Sequence, residues 1–158
     1  RGGRAMKDPE PLVQPFNDEY FMRRALDEAR QAAAEGEVPV GAVIVCNDRI
    51  IARAHNQTER LNDPTAHAEM LALTASTGAM GAKYLPDCRL YVTVEPCVMC
   101  AGAIGWAQLG AVVYGAPDTK RGFTVFAPRA LHPRTEVRGG VMEAECAAEM
   151  TAFFRAKR

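Results

Sequence analysis

Leu90-Tyr91-Val92-Thr93-Val94-Glu95-Pro96-Cys97-Val98-Met99-Cys100 is the stretch on which the reading of this chain turns. Leu90 to Val94 is rich in β-branched and aromatic residues and predicts a strand that ends at Glu95-Pro96. Pro96 suits a helix start, and Ala, Ile and Trp106 fill a helix from Cys97 to about Gln108. Ala111 to Gly115 is a second buried strand. Strand, helix and strand in that order predict a right-handed crossover between parallel strands, and hence an α/β protein. The two cysteines stand at the corner where the first strand becomes the helix. Alone, a Cys-x-x-Cys is a redox pair, half of a structural zinc knuckle, or an accident of composition. Thr65-Ala66-His67-Ala68-Glu69 upstream changes that reading. One imidazole and two thiols, with a carboxylate left over, make an incomplete tetrahedral zinc set. Structural zinc sites use four protein ligands; catalytic ones use three and leave the fourth position to water.

On either side of this corner the pattern is regular. Asn17 predicts an N-cap, with Asp18 and Glu19 in the first turn, where acids suit the helix dipole. Phe21, Ala25, Leu26, Ala29 and Ala33 recur at helical spacing until Gly36. Val40 to Cys46 reads as a buried strand, Asn47-Asp48 as a turn, and Arg49 to Ala54 as the hairpin partner. His55-Asn56 follows at the strand end. Asp63-Pro64 predicts an N-cap and first helical residue, with Met70, Leu71 and Leu73 facing inward and a stop near Gly78. Pro117 to Gly140 is irregular, with a short strand expected near Thr135 to Arg138. A helix from about Glu143 to Arg158 closes the chain, apolar at Ala147, Met150, Phe153 and Phe154. Residues 1–16 mix Gly, Pro and charge without period and read as a flexible lead-in, leaving 17–158 as a single domain.

Nineteen basic and nineteen acidic residues among 158 exclude a globally charge-driven partner, though a local basic face suffices for nucleic acid. Lys120, Arg121, Arg129, Arg134, Arg138, Arg155, Lys157 and Arg158 gather in the last quarter as a candidate phosphate-binding face, with Phe123 or Phe126 as base-stacking candidates. Five cysteines and no hydrophobic leader suggest a reduced, cytoplasmic setting. The longest apolar run, Val38 to Cys46, is too short to span a bilayer. Cys46, Cys88 and Cys146 read as structural, and His55 and His132 are assigned no role.

Residues i and i+3 share a helix face, so Cys97 and Cys100 can reach one ion, and free N–H groups at a helix start favour thiolates. His67 is the third ligand, and the donor set points to Zn2+. Positions i and i+2 diverge on a helix, so Glu69 must fold back over the site to reach it; a carboxylate there can carry the proton of water that zinc brings toward neutrality.

His67-Ala68-Glu69 followed by Pro96-Cys97-Val98-Met99-Cys100 resembles the zinc nucleobase deaminases of the cytidine deaminase superfamily. Within it, Glu37-Val38-Pro39-Val40-Gly41-Ala42-Val43, Asp63 to Glu69 and Leu90 to Ala103 are similar to the bacterial tRNA-specific adenosine deaminases. The likeness runs from about Tyr20 to Arg158. It implies a three-layer α/β/α sandwich with a mixed five-stranded sheet, in a protein that is usually a homodimer. It implies His67, Cys97 and Cys100 on zinc, with Glu69 shuttling protons as hydroxide attacks C6 of adenine, ammonia leaves and inosine remains, the chemistry general to these zinc deaminases. Asn56 matches the base-binding asparagine, Val38 lies in a pocket-lining match, and Asp118 matches an acid beside the bound nucleotide. The implied substrate is the wobble adenosine of an arginine tRNA. Arg121 to Pro128 departs from the family's small-residue stretch, and Gly105-Trp106-Ala107-Gln108 lacks a charge often found there. Both departures fall on the side expected to face tRNA. Two other readings stand beside this one: a deaminase of free nucleobases or nucleosides (guanine, cytosine or cytidine), and a non-catalytic zinc-stabilised binding module. The second requires a fourth protein ligand, for which Cys88 is the candidate.

Overall fold

The computed structural model describes residues 16–157, so most of the expected lead-in, and Arg158, lie outside the described residues. In chain order it contains α1 (Asp18–Ala34), β1 (Gly41–Cys46), β2 (Arg49–His55), α2 (Ala68–Met80), β3 (Cys88–Val94), α3 (Val98–Ala107), β4 (Ala111–Ala116), α4 (Phe123–Phe126), β5 (Glu136–Arg138) and α5 (Glu143–Ala156). The strands form one mixed sheet in the order β2-β1-β3-β4-β5. β1 runs antiparallel to β2 and β3, whereas β3, β4 and β5 run parallel, so α3 is the crossover its sequence predicts.

Side-chain alternation along the strands builds two cores. Ala42, Ile44, Leu90 and Val92 face Ala68, Ala72 and Leu73 of α2 and Ile104 of α3. Their neighbours Val43, Val45, Tyr91 and Val113 face Phe21, Met22, Ala25 and Leu26 of α1 and Cys146 of α5. The result is the expected three-layer arrangement, with nearly every residue of β1 and β3 buried because both faces are covered. Asn17 caps α1 by accepting the Tyr20 N–H at 2.8 Å. Asn47 and Asp48 both take left-handed backbone, at φ 53° and 60°, the conformation a two-residue hairpin turn needs. Gly41 lies so close to α1 that a Cβ there would collide with the Ala25 carbonyl and the Ala29 amide nitrogen. No helix among the described residues is long and apolar enough to cross a membrane.

Two expectations need correction. Asp63-Pro64 does not start α2: the N-cap is His67, and Asp63 instead accepts the N–H and hydroxyl of Thr65 in a local turn. An Asp-x-Thr turn and an N-cap use the same side-chain acceptor, so the sequence signal serves either. Moving the start shifts the inward face of α2 to Ala68, Glu69, Ala72, Leu73 and Ser76, leaving Met70 and Leu71 half-buried. In α5, whose apolar positions follow the sequence pattern, Cys146 is fully buried, Ala147 packs partly buried against the core, and Phe154 is 48% exposed.

Candidate active site

Two helix N-termini meet at the carboxyl end of β3. His67 is the N-cap of α2 and Cys97 the N-cap of α3, which leaves Cys100 in the first turn. Neither cap side chain is used on its own helix. Their polar atoms turn toward each other instead: His67 Nδ1 lies 3.7 Å from Cys97 Sγ and 3.5 Å from Cys100 Sγ. All three donor atoms lie within 4.8 Å of one another, and among the described residues they form the one such group. Zinc bonds of about 2.0–2.1 Å to nitrogen and about 2.3 Å to sulfur put the N–S edge of a tetrahedron at roughly 3.5 Å, so the donors already have the right spread. Cys88, proposed as a fourth ligand, sits at the opposite end of β3.

The electrostatics of the trio fit a cation as well. The Cys100 thiol, then His67, hydrogen-bond to Cys97 and hold its pKa down at about 4, against the cost of burial. Cys100 keeps its proton because it donates to Cys97 and is buried, and His67 is raised first by its hydrogen bond with Cys97. A divalent ion bound by the three groups would displace the protons they share. Glu69 is 4% exposed, and burial pushes its carboxyl up to about 7, where it can both take and give a proton near neutrality. Its i+2 offset from His67 does not carry it away from the site, because His67 is the extended cap residue and Glu69 belongs to the first helical turn.

A cavity of about 280 Å³ opens on this corner, at the small end of the range for ligand pockets. Val38, Asn56, His67, Glu69, Cys97 and Asp118 all line it, while Cys100 lies fully buried. Asn56 is held at the end of β2 by its N–H to the Val40 carbonyl, and its Oδ1 is buried without a partner. A buried unpaired acceptor is costly and calls for a donor from a ligand. Asp118 Oδ1 accepts the N–H groups of Lys120 and Arg121 and so shapes its own loop as it lines the cavity.

Sequence reasoning missed two residues here, Glu95 and Met150, and read Glu37 only as part of a pocket-lining match, whereas it braces the wall from behind. Glu95 is 5% exposed and accepts the Asp118 N–H at 3.1 Å, the Thr124 N–H at 3.0 Å and the Thr124 hydroxyl at 2.7 Å. An acid at the end of an otherwise apolar strand was the available signal. Glu37 is buried and accepts the N–H groups of Glu59 and Arg60, tying down the loop after Asn56. Met150 reaches the cavity from α5, a contact no local pattern reveals. His55 lies between Glu28 and Glu35 at 3.3 and 2.9 Å, away from the donor trio. Of the basic cluster, Arg138 is engaged by Asp18 and Glu136.

Residues 15–116 match the family model of the cytidine and deoxycytidylate deaminase zinc-binding region. A curated tRNA-specific adenosine deaminase of Agrobacterium fabrum is 44% identical over 144 residues, which span 88% of this chain and 95% of that protein. A solved structure from a study of A-to-I editing by tRNA:A34 deaminases superposes with a TM-score of 0.77 at 43% identity, covering 82% of this chain and 98% of the other. A guanine deaminase of Bacillus subtilis superposes with a TM-score of 0.63 at 46% identity, covering 65% of this chain and 66% of the other.

Proposed function

The chain belongs to the cytidine and deoxycytidylate deaminase zinc-binding family, as a zinc-dependent deaminase, and on that premise we propose that it converts adenosine to inosine at the wobble position of a tRNA anticodon. The observation that carries the reaction type is a buried carboxylate beside three converging donors, with a cavity at their open side. The likeness to a curated tRNA-specific adenosine deaminase over nearly its full length supports the substrate.

In this reading His67, Cys97 and Cys100 hold the zinc. When bound, the metal acidifies water and so supplies the nucleophile at neutral pH. Glu69 takes a proton from the attacking water, passes it to N1 of the base, and then helps protonate the departing amine, so that water and adenosine become inosine and ammonia. Asn56 holds the edge of the base through its free amide, Val38 packs against the ring, and Asp118 borders the sugar. Residues 17–158 act as one domain.

Two further parts belong to the same reading. The protein pairs with a second copy through the face between α2 and α3, where Trp106 is 83% exposed among Tyr84, Met70 and Ala103. It works in the cytoplasm, as free thiols and a tRNA substrate suggest.

The guanine deaminase likeness motivates a second reading, turnover of a free base. Incubation with an anticodon stem-loop bearing the wobble adenosine, and separately with adenosine, cytidine and guanine, distinguishes the two. Inosine in the RNA alone is expected, and preferential turnover of free guanine would replace the proposal. Sedimentation of wild type and Trp106→Glu checks pairing, with a shift from dimer to monomer expected.

A further inference from the structure

Phe126 has no function in the chemistry above, yet its placement is unusual. It ends α4 and is 64% exposed, while Phe123, one turn earlier, is 2% exposed and anchors the segment. The anchoring is tight. The Phe123 N–H reaches the Pro96 carbonyl at 2.9 Å, Gly122 bridges to Cys97, and Thr124 donates twice to Glu95. Gly122 has no room for a Cβ, which would collide with the Glu95 carboxylate. Glu95 and Cys97 both line the cavity, so Phe126 stands two residues beyond a segment fastened to the cavity wall. Around it in sequence, Lys120, Arg121 and Arg129 are exposed, and none of them pairs with a carboxylate among the described residues.

An exposed Phe alone is ordinary on protein surfaces. An exposed aromatic two residues beyond a segment fastened to the wall of a base-sized cavity, flanked by unpaired cations, has the composition of a single-stranded nucleic-acid platform: rings stack bases while cations follow the phosphates. We infer that Phe126 stacks on a base adjacent to the target nucleotide, with Lys120, Arg121 and Arg129 on the flanking phosphates. The inference rests on the RNA reading of the site and narrows it, because it assigns recognition of the neighbouring nucleotide to the segment 120–129. A deaminase of free bases has no neighbouring base for Phe126 to meet.

The test measures binding of the zinc-loaded protein to an RNA hairpin carrying the target adenosine in its loop, and to two hairpins made abasic on its 5′ or 3′ side. Phe126→Ala should weaken binding of the intact hairpin about 5- to 150-fold, the range for loss of one base stack. Phe126→Trp should restore it, and the melting temperature should not move. On one of the abasic hairpins, wild type and Phe126→Ala should bind alike. Equal affinity of Phe126→Ala and wild type for the intact hairpin would overturn the inference, as would the same fold-loss on all three hairpins. If wild type neither binds nor deaminates any hairpin but turns over a free base, the RNA reading has failed and the stacking assignment goes with it. That outcome is told apart by the wild-type measurement itself.

Discussion

The corner formed by His67, Glu69, Cys97 and Cys100 and the segment from Asp118 to Thr135 meet at one cavity but are built on opposite principles. The corner is buried, set on the ends of regular elements, and held by the packing of α2 and α3 against a sheet covered on both faces. The segment holds one four-residue helix, exposes Val125 and Phe126, and is fastened mainly by Glu95. Rigid elements give ligand atoms the fixed spread a metal needs, whereas a loop can vary without disturbing them. The two divide the labour: the corner is built to hold the chemistry fixed, and the segment, in the reading proposed above, meets what lies beyond the base.

The contrast can be broken most forcefully at the corner. Replacing Cys100 with Ser, or stripping metal with a chelator, should reduce zinc content and activity together to background, read by metal analysis and ammonia release. If activity survives with no zinc, the donor trio is not the centre of the chemistry. Glu69→Gln separates metal binding from proton transfer: zinc should stay, and kcat should fall about 10²–10⁴-fold, the usual range for a positioned acid–base group. Loss of zinc in this variant would make Glu69 a structural support of the trio instead.

Changes in the segment should be milder and leave the metal in place. Thr124→Val removes a donor to the buried Glu95 carboxylate and should cost about 1–3 kcal/mol of stability, measured by denaturant unfolding, with zinc content unchanged. The smallest effect is expected where the segment leads into β5. Burial would raise the Asp18 carboxyl, but hydrogen bonds from Arg138 and Tyr91 outweigh it and hold its pKa below the usual value. A depressed native pKa stabilises the fold above the unfolded carboxylate's pKa near 4, and that stabilisation is lost as pH falls through the native value. Asp18→Asn should therefore flatten the acid limb of the stability profile. At neutral pH it should cost under about 1 kcal/mol, since the pair is partly solvated.

Much of this was legible because the signals are local. The alternation of apolar residues in β1 and β3, the Asn17 cap and the Asn47-Asp48 turn each act within a few residues, and the structure follows them. The helix start at Asp63 was misplaced because a turn and a cap compete for one aspartate side chain, and only the docking of α2 decides between them. Glu95 and Met150 escaped notice, and the bracing role of Glu37 with them, because their partners lie far along the chain or on other elements.

The sequence by itself determined the strand–helix–strand crossover, the donor types at the zinc corner and the spare carboxylate, since spacing and side-chain chemistry suffice for those. Only the tertiary structure decided that two helix starts face each other closely enough for His67 to lie 3.5 Å from Cys100. It alone buried Glu69 enough to push its carboxyl to about 7, because desolvation depends on every element packed around a group. It also separated Phe123 from Phe126, putting one ring in the interior and the other at the surface of the segment fastened beside the cavity. Burial is a property of the whole packed chain, and no stretch of residues carries it alone.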